Sequence, residues 1–258
     1  MAIYITGDTH GGMDSLKLSS KNFPNYRDCS EEDYLIITGD WGYVFNYNPT
    51  DIEIDDEFKA VEHIHTRNLL IKERNILKNT FDKKFITLIC EGNHENFDRL
   101  KNFPKIDMFG SKVRKITDKV FLLKRGEIYN IEGKSIFVFG GARSIDRFTA
   151  NRQEGIDWFP QEECTYKEEN YALDNLKKYN NKVDIVITHT CATSTVDELS
   201  KLYGFYVDEY DNQNKFLEFI KNEVDYSLWF FGHFHHDLII NDKEILIYNK
   251  VRSLDEFI

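Results

Sequence analysis

Short apolar runs, rich in β-branched and aromatic residues, recur along the chain and are separated by longer polar segments. Runs of four to six residues are typical of buried strands, because helices that cross a domain need more residues. The pattern therefore predicts strands at 3–6, 34–38, 85–90, 136–139, 185–188 and 228–231.

Several of the intervening segments carry helical signals. Acidic residues concentrate in 51–57 and basic residues in 59–84, which is the charge order that a helix dipole favours, so a long helix is predicted from near Asp55. Further helices are predicted at 168–179 and 215–224 from the three- or four-residue spacing of their apolar positions. Hairpins are predicted at 128–139 and 238–248. This alternation favours an α/β fold with mixed sheets.

The chain has 258 residues, of which 41% are hydrophobic, and contains no internal repeat, low-complexity tract or linker-like segment. We therefore expect a single domain over 1–258. The net charge of −11 and the lack of a long Lys/Arg stripe make long nucleic acids unfavourable partners. The oligomeric state is not indicated by any pattern.

Four scattered cysteines form no C-x-x-C pair, which suggests a reducing compartment. No apolar run approaches membrane-spanning length, and residues 1–6 show no basic segment before the first apolar run. These features favour a cytoplasmic protein without a membrane partner.

Five of the predicted strands are followed by residue types that bind metal ions. The segments are Gly7-Asp8-Thr9-His10, Gly39-Asp40, Gly92-Asn93-His94-Glu95, Thr188-His189 and Gly232-His233-Phe234-His235. The carboxyl ends of parallel strands meet at one crevice, so these motifs can converge in space. The glycines would permit tight turns and close backbone approach there.

The ordered set G-D-T-H, G-D, G-N-H-E, T-H and G-H-F-H resembles the calcineurin-like metallophosphoesterase superfamily over residues 7–235. The resemblance implies two mixed β-sheets packed as a sandwich and flanked by helices, in four layers. It also implies a dinuclear metal centre. Asp8, His10 and His235 would hold one ion, Asn93, His189 and His233 the other, and Asp40 would bridge them.

Carboxylate, imidazole and amide ligands suit Mn, Fe, Zn, Co or Ni, with Mn as the first candidate. Two such ions would activate a water molecule for attack on phosphorus. His94 matches the family histidine that would protonate the leaving oxygen, and Arg143 is a candidate phosphate contact in the loop after a strand. Arg147 or Arg99 could take that place, and a surface ion pair is an equally good interpretation of any single arginine.

The leading hypothesis is a hydrolase that cleaves a phosphomonoester or phosphodiester of a small molecule. Residues 41–44 read Trp-Gly-Tyr-Val, which differs from the pattern of the Ser/Thr protein phosphatases and disfavours that branch. Two alternatives stay open: a nuclease acting on short or single-stranded nucleic acid, and a non-catalytic binding subunit on the same fold. The complete set of candidate ligands argues against the second of these.

Overall fold

The computed structural model describes residues 1–45, 57–145, 147, 152–204 and 211–258, and only the backbone of 57–67. In these ranges the strands are, in chain order, β1 (Ile3–Thr6), β2 (Tyr34–Ile37), β3 (Ile86–Ile89), β4 (Lys105–Met108), β5 (Ser111–Lys115), β6 (Val120–Leu123), β7 (Glu127–Ile131), β8 (Lys134–Phe139), β9 (Ile185–Thr188), β10 (Leu228–Phe231), β11 (Leu238–Ile239), β12 (Glu244–Leu246) and β13 (Arg252–Ser253). The α-helices are α1 (Glu57–Phe81), α2 (Phe97–Leu100), α3 (Tyr166–Lys178), α4 (Thr193–Tyr203) and α5 (Asn212–Glu223).

The first sheet has the strand order β13-β1-β2-β3-β6-β5-β4. Its central strands β1, β2, β3 and β6 are parallel, with Ile5 opposite Ile36 and Ile36 opposite Leu88. The outer strands β13, β5 and β4 pair antiparallel. The carboxyl ends of β1, β2, β3 and β6 therefore lie along the same edge.

The second sheet has the order β11-β12-β10-β9-β8-β7. Strands β12, β10, β9 and β8 are parallel, and β11 and β7 close the sheet antiparallel. The β7–β8 hairpin turns at Glu132 and Gly133, both with positive φ (52° and 73°). Two consecutive residues of this conformation form the turn that matches strand twist.

Three apolar cores define four layers. Ile5 and Ile36 of the first sheet pack between the sheets against Val138 and Ile187 of the second. The outer face of the first sheet packs on the end of α1 around Phe81. On the outer face of the second sheet lie α3, α4 and α5, which contribute Leu176, Leu199 and Leu217 among others.

The predicted architecture of two mixed sheets with flanking helices is thus confirmed. All six predicted strands are present, with boundaries that differ by at most two residues. Helix α3 begins two residues earlier than predicted because Thr165 and Glu168 form a capping box. Asp55, the predicted start of the first helix, lies outside the described residues. No helix in the described ranges is both long and apolar enough to cross a membrane.

Candidate metal centre

The seven predicted ligands lie just after the carboxyl ends of five parallel strands. Asp8 follows β1, Asp40 follows β2 and Asn93 follows β3 in the first sheet, whereas His189 and His233 follow β9 and β10 in the second. His10 and His235 lie two residues beyond Asp8 and His233. The edges of the two sheets face each other, so ligands from both sheets meet in one crevice, as the sequence motifs predicted.

The backbone at these positions is unusual. Four of the candidate ligands are non-glycine residues with positive φ: His10 (43°), Asp40 (46°), His233 (70°) and His235 (53°). Such conformations cost about 1–3 kcal/mol each and concentrate at functional sites. They turn the side chains out of the strand direction and into the crevice.

Two glycines let these loops approach closely. A Cβ on Gly92 would overlap with the backbone nitrogen and the carboxylate of Asp40, and a Cβ on Gly39 would overlap with the His189 ring. Gly39 also has a φ of 112°, which side-chain-bearing residues rarely adopt. The predicted role of the glycines in close approach is confirmed at both positions.

The first group of candidate ligands comprises Asp8, His10, Asp40 and His235, whose donor atoms lie within 4.8 Å of one another. His235 Nε2 is 3.2 Å from Asp8 Oδ2, and His10 Nε2 is 3.3 Å from Asp40 Oδ2. His10 Nδ1 lies 2.6 Å from Asp14 Oδ2. A carboxylate on Nδ1 orients the ring and leaves Nε2 free for an ion.

The second group comprises Asp40, His189 and His233, and its donor atoms also lie within 4.8 Å of one another. His189 Nε2 is 3.3 Å from Asp40 Oδ1 and 3.0 Å from Asn93 Oδ1. Asp40 thus directs one carboxylate oxygen at each group. The two groups, with Asn93 beside the second, bring together the residues that the family resemblance assigned to each ion, and Asp40 belongs to both.

Hydrogen bonds fix which atoms of the second group face each other. His189 Nδ1 lies 2.9 Å from the carbonyl oxygen of Thr38, which can only accept, so Nδ1 carries a proton. The Asn93 amide is held by Ser144: Nδ2 donates to Ser144 Oγ at 3.0 Å, and that hydroxyl donates to Glu162 Oε2 at 2.7 Å. Asn93 Oδ1 must therefore point at His189.

This arrangement fits a cation. With Nδ1 protonated, a neutral His189 offers only a lone pair at Nε2, and that lone pair faces the oxygens of Asn93 and Asp40. Acceptors that converge in a buried site repel each other unless a proton or a metal ion lies among them. Asp8 Oδ2 adds a buried oxygen that faces His235 Nε2 at 3.2 Å. The donor set and its geometry could hold a divalent ion.

The closeness of the buried carboxylates and imidazoles also shifts the pKa values of the histidines. Burial opposes protonation of His10 and His189, but hydrogen bonds and attraction to Asp40 outweigh it and raise the pKa of each imidazole to about 9. Burial and the neighbouring His189 lower the pKa of His233 to about 3. Without an ion, the two buried aspartates thus draw protons onto neighbouring histidines. A divalent ion would replace those protons.

Residues outside the predicted ligand set support the candidate ligands. The Tyr248 ring stacks on His235, with ring centroids 4.7 Å apart and planes at 15°. The buried Lys17 amine donates to the backbone carbonyls of Asp8 and Tyr248. The buried Glu95 carboxylate accepts the backbone N–H groups of Trp41 (2.8 Å) and Gly42 (3.2 Å). Glu95 belongs to the Gly92-Asn93-His94-Glu95 motif, and Asp14 follows His10 at helical spacing, whereas Lys17 and Tyr248 carried no such sequence signal.

A family model described as calcineurin-like phosphoesterase matches residues 1–237. The chain belongs to the calcineurin-like phosphoesterase family. Membership supports the general assignment as a metal-dependent phosphoesterase, because the match covers every strand end that carries a candidate ligand. No curated protein matches the chain.

Two solved structures are similar to this family member. One is 10% identical, with a TM-score of 0.46, and the alignment covers 98% of this chain and 95% of that one. The other is a Staphylococcus aureus protein assigned as a 5'-nucleotidase, in complex with alpha-ketoglutarate; it is 17% identical with a TM-score of 0.46. That alignment covers 96% of this chain but 48% of the other, so this chain spans about half its length.

His94 lies beside both groups. Its backbone N–H donates to Asp40 Oδ1 at 2.8 Å, and its ring centroid is 5.6 Å from that of His10. Burial lowers the pKa of His94 below its usual value; Asp40 opposes this shift, whereas the charges of His10 and Arg152 add to it. The imidazole is therefore neutral near pH 7 and can still donate a hydrogen bond.

The candidate arginines lie in different surroundings. Arg143 is half-buried and faces the Asp211 carboxyl group. Arg99 Nη1 pairs with Glu73 at 2.8 Å, and Arg147 pairs with Glu163. Arg152, which sequence reasoning did not single out, influences the pKa of His94 and so lies near the crevice.

The aromatic residues after Asp40 pack in the core. Trp41 and Tyr43 are 0% and 2% exposed, and both contact Phe81 at the end of α1. Phe159 is buried as well and packs on Phe45. The sequence leaves open whether these aromatic residues wall a substrate pocket or pack beneath the site, and the burial of Trp41, Tyr43 and Phe159 favours packing beneath it. Tyr47 lies outside the described residues.

Proposed function

We propose that this protein is a two-metal phosphoesterase that hydrolyses a phosphomonoester or phosphodiester of a small molecule. The observation that supports this most strongly is the convergence of seven candidate ligands into two groups that share Asp40. Mn is the first candidate ion, with Fe, Zn, Co and Ni as alternatives of similar ligand preference. A cytoplasmic location remains part of the proposal.

Two bound divalent ions would supply an activated water molecule and a positive clamp for the phosphate. The protein side chains would then position the ions, and none of them would act as the nucleophile. Asp14 and the Thr38 carbonyl fix the imidazoles of His10 and His189, so each presents Nε2 to the crevice. Ser144 fixes the amide oxygen of Asn93 in the same way.

His94 would assist departure of the alcohol. The Asp40 carboxylate holds the backbone of His94 beside both groups, so its imidazole would lie next to a phosphate bound between them. A neutral imidazole would donate an N–H hydrogen bond to the leaving oxygen, and its protonated form would act as acid at lower pH. Arg143 stays a candidate phosphate contact, and Arg152 is a second one because its charge reaches His94.

The deciding experiment combines metal analysis with turnover of aryl phosphate monoesters and diesters in the presence of Mn. We expect about two ions per chain and measurable turnover, both lost in Asp40→Asn. Asp118→Asn is the matched control, since the side chain of Asp118 is 90% exposed on the surface. His94→Ala should retain metal and lose turnover, by about 10²- to 10⁴-fold.

An active Asp40→Asn variant, or a wild-type protein that binds no metal and turns over neither ester, would refute the proposal. Preference for the diester, followed by digestion of short single-stranded nucleic acid, would favour the nuclease alternative. Metal binding without turnover of any ester would favour the non-catalytic alternative.

A further inference from the structure

A second cavity lies beside the metal centre, on the same edge of the first sheet. It has a volume of about 300 Å³, and we name it the Arg125 pocket. Glu91 at the end of β3 and Lys124 and Arg125 at the end of β6 line it, and α3 contributes Lys167 and Glu168 from the second sheet's outer layer. Because Glu91 precedes Asn93 by two residues, the pocket adjoins the candidate ligands.

The pocket is cationic although the whole chain is acidic. Its lining holds four basic side chains and two acidic ones: Arg114, Lys124, Arg125 and Lys167 against Glu91 and Glu168. Arg114 donates to the backbone carbonyls of Lys101 and Phe103 rather than to a carboxylate. Lys167 forms no ion pair with any residue in the described ranges. Lys124 pairs with Glu127 at 3.4 Å, and Arg125 lies within 4 Å of Glu91 and Glu168. The surplus positive charge of the pocket is therefore that of Arg114 and Lys167.

Arg125 is the most informative residue of the pocket. It is only 3% exposed, and its Nη2 donates to the carbonyl oxygen of Gln161 at 3.1 Å. Its Nε and Nη1 form no hydrogen bond within the described parts of the chain. The nearest carboxylate oxygens belong to Glu91, 3.7 Å from Nε, and Glu168, 3.5 Å from Nη1.

Glu168 is not a dedicated partner of Arg125. The same Oε2 atom accepts the N–H of Thr165 at 2.8 Å and the Thr165 hydroxyl at 2.7 Å in the capping box of α3. A buried guanidinium with two donors unused carries a desolvation cost that an anionic ligand would remove. The donors, the surplus positive charge and the cavity occur at one place.

We propose that the Arg125 pocket binds a phosphate group other than the one presented to the metal centre. Phosphate fits because it offers several anionic oxygens to the buried guanidinium and to the flexible amines of Lys124 and Lys167 at once. The phosphate can belong to the same substrate as a second group, or to a separate small molecule. Its binding requires no metal ion and no hydrolysis.

The test uses full-length protein freed of metal with a chelator, titrated at low salt with inorganic phosphate and with pyrophosphate by calorimetry. We expect pyrophosphate to bind more tightly than phosphate. Lys167→Gln and Arg125→Gln should each weaken binding, the latter by about tenfold or more, because a hydrogen-bonded charged group is lost. Lys177→Gln is the matched control, since Lys177 lies on the same helix and is 70% exposed.

Arg125 is buried, so its replacement can unfold the protein; the double variant Lys124→Gln/Lys167→Gln avoids that outcome and should weaken binding by a similar factor. Absence of binding at millimolar pyrophosphate would overturn the proposal. Equal affinities in the double variant and in Lys177→Gln would overturn it as well. Because no turnover is measured, these results are independent of whether the metal centre hydrolyses esters.

Turnover of the metal-loaded enzyme then identifies the source of the phosphate. An aryl phosphate is compared with a substrate that carries a second phosphate. A KM increase in the double variant confined to the second substrate shows that the substrate's own second group occupies the pocket. Unchanged KM values for both, together with the binding result, show that the pocket takes a separate small phosphate.

Discussion

Replacing Ser144 by alanine tests whether the buried hydrogen-bond chain orients a metal ligand. In the structure, Asn93 Nδ2 donates to Ser144 Oγ, and Ser144 donates to Glu162 with both its hydroxyl and its backbone N–H (2.7 and 2.8 Å). Ser144 is 3% exposed and Glu162 is fully buried. Removal of the hydroxyl leaves the amide of Asn93 free to turn its NH₂ group toward His189.

The expected effect follows from the value of one buried hydrogen bond. An unmade bond in such a place costs about 1–3 kcal/mol, which corresponds to about 5- to 150-fold in affinity. Loss of a group that orients a ligand weakens metal binding by about 10- to 100-fold. Both estimates apply only to the ion at the group that contains Asn93 and His189. The group with His10 and His235 should change little.

The assay is calorimetric titration of metal-free protein with Mn, which resolves two sites if their affinities differ. Ser200→Ala is the matched control, because that hydroxyl donates to the Val196 carbonyl at 2.9 Å inside α4. Glu162→Gln keeps the shape but exchanges an acceptor for a donor, and should act in the same direction as Ser144→Ala. Equal weakening at both sites, or none at either, would refute the orienting role.

Three further predictions follow from the same geometry. Metal affinity should rise as the pH approaches about 9, because His10 and His189 bind protons up to that pH and only their deprotonated forms bind an ion. About one proton should be released per ion, which calorimetry in two buffers measures. An affinity that does not change with pH would contradict this. Tyr248→Leu should weaken binding of the ion at His235 by about 2- to 10-fold, because leucine removes the ring that stacks on His235, whereas Tyr248→Phe keeps that ring and should not. Equal metal affinities of the two variants in a titration would exclude this supporting role. Gly92→Ala should abolish metal binding and lower the melting temperature, because its Cβ would overlap with the shared aspartate; a normal metal content would contradict the close approach.

The fold was largely predictable because its strands are short, apolar and bounded by polar loops. The first strand begins and ends at the predicted residues, and the turn at Glu132 and Gly133 was readable from its local sequence. Helix ends were less accurate, because capping side chains decide them: Thr165 begins α3 before the apolar pattern does. Tyr179 continues the apolar spacing of the predicted helix 168–179, but it is 41% exposed because it lies just past the end of α3.

The convergence of the candidate ligands was predictable for a different reason. They share an ordered set of short motifs at strand ends, so both order and spacing carry information. The residues that orient the candidate ligands are dispersed along the chain instead. Ser144 and Glu162 lie 51 and 69 residues after Asn93, and Tyr248 lies 13 residues after His235. Only the packing of the two sheets brings them together. A single sequence therefore indicates the candidate ligands and leaves out the residues that orient them.

The strained ligand backbones connect these observations. Four candidate ligands adopt positive φ at a cost of about 1–3 kcal/mol each, and no local sequence preference offsets this strain. The surrounding contacts must hold them: the N–H groups of His10 and Thr9 bind the Asp40 carbonyl at 2.9 Å, and the N–H of His94 binds the Asp40 carboxylate. Because both contacts converge on Asp40, that residue fixes the loops as well as linking the two groups. Metal affinity and loop geometry should therefore be lost together when Asp40 or its close neighbour Gly92 is changed, whereas Ser144 should affect one ion alone.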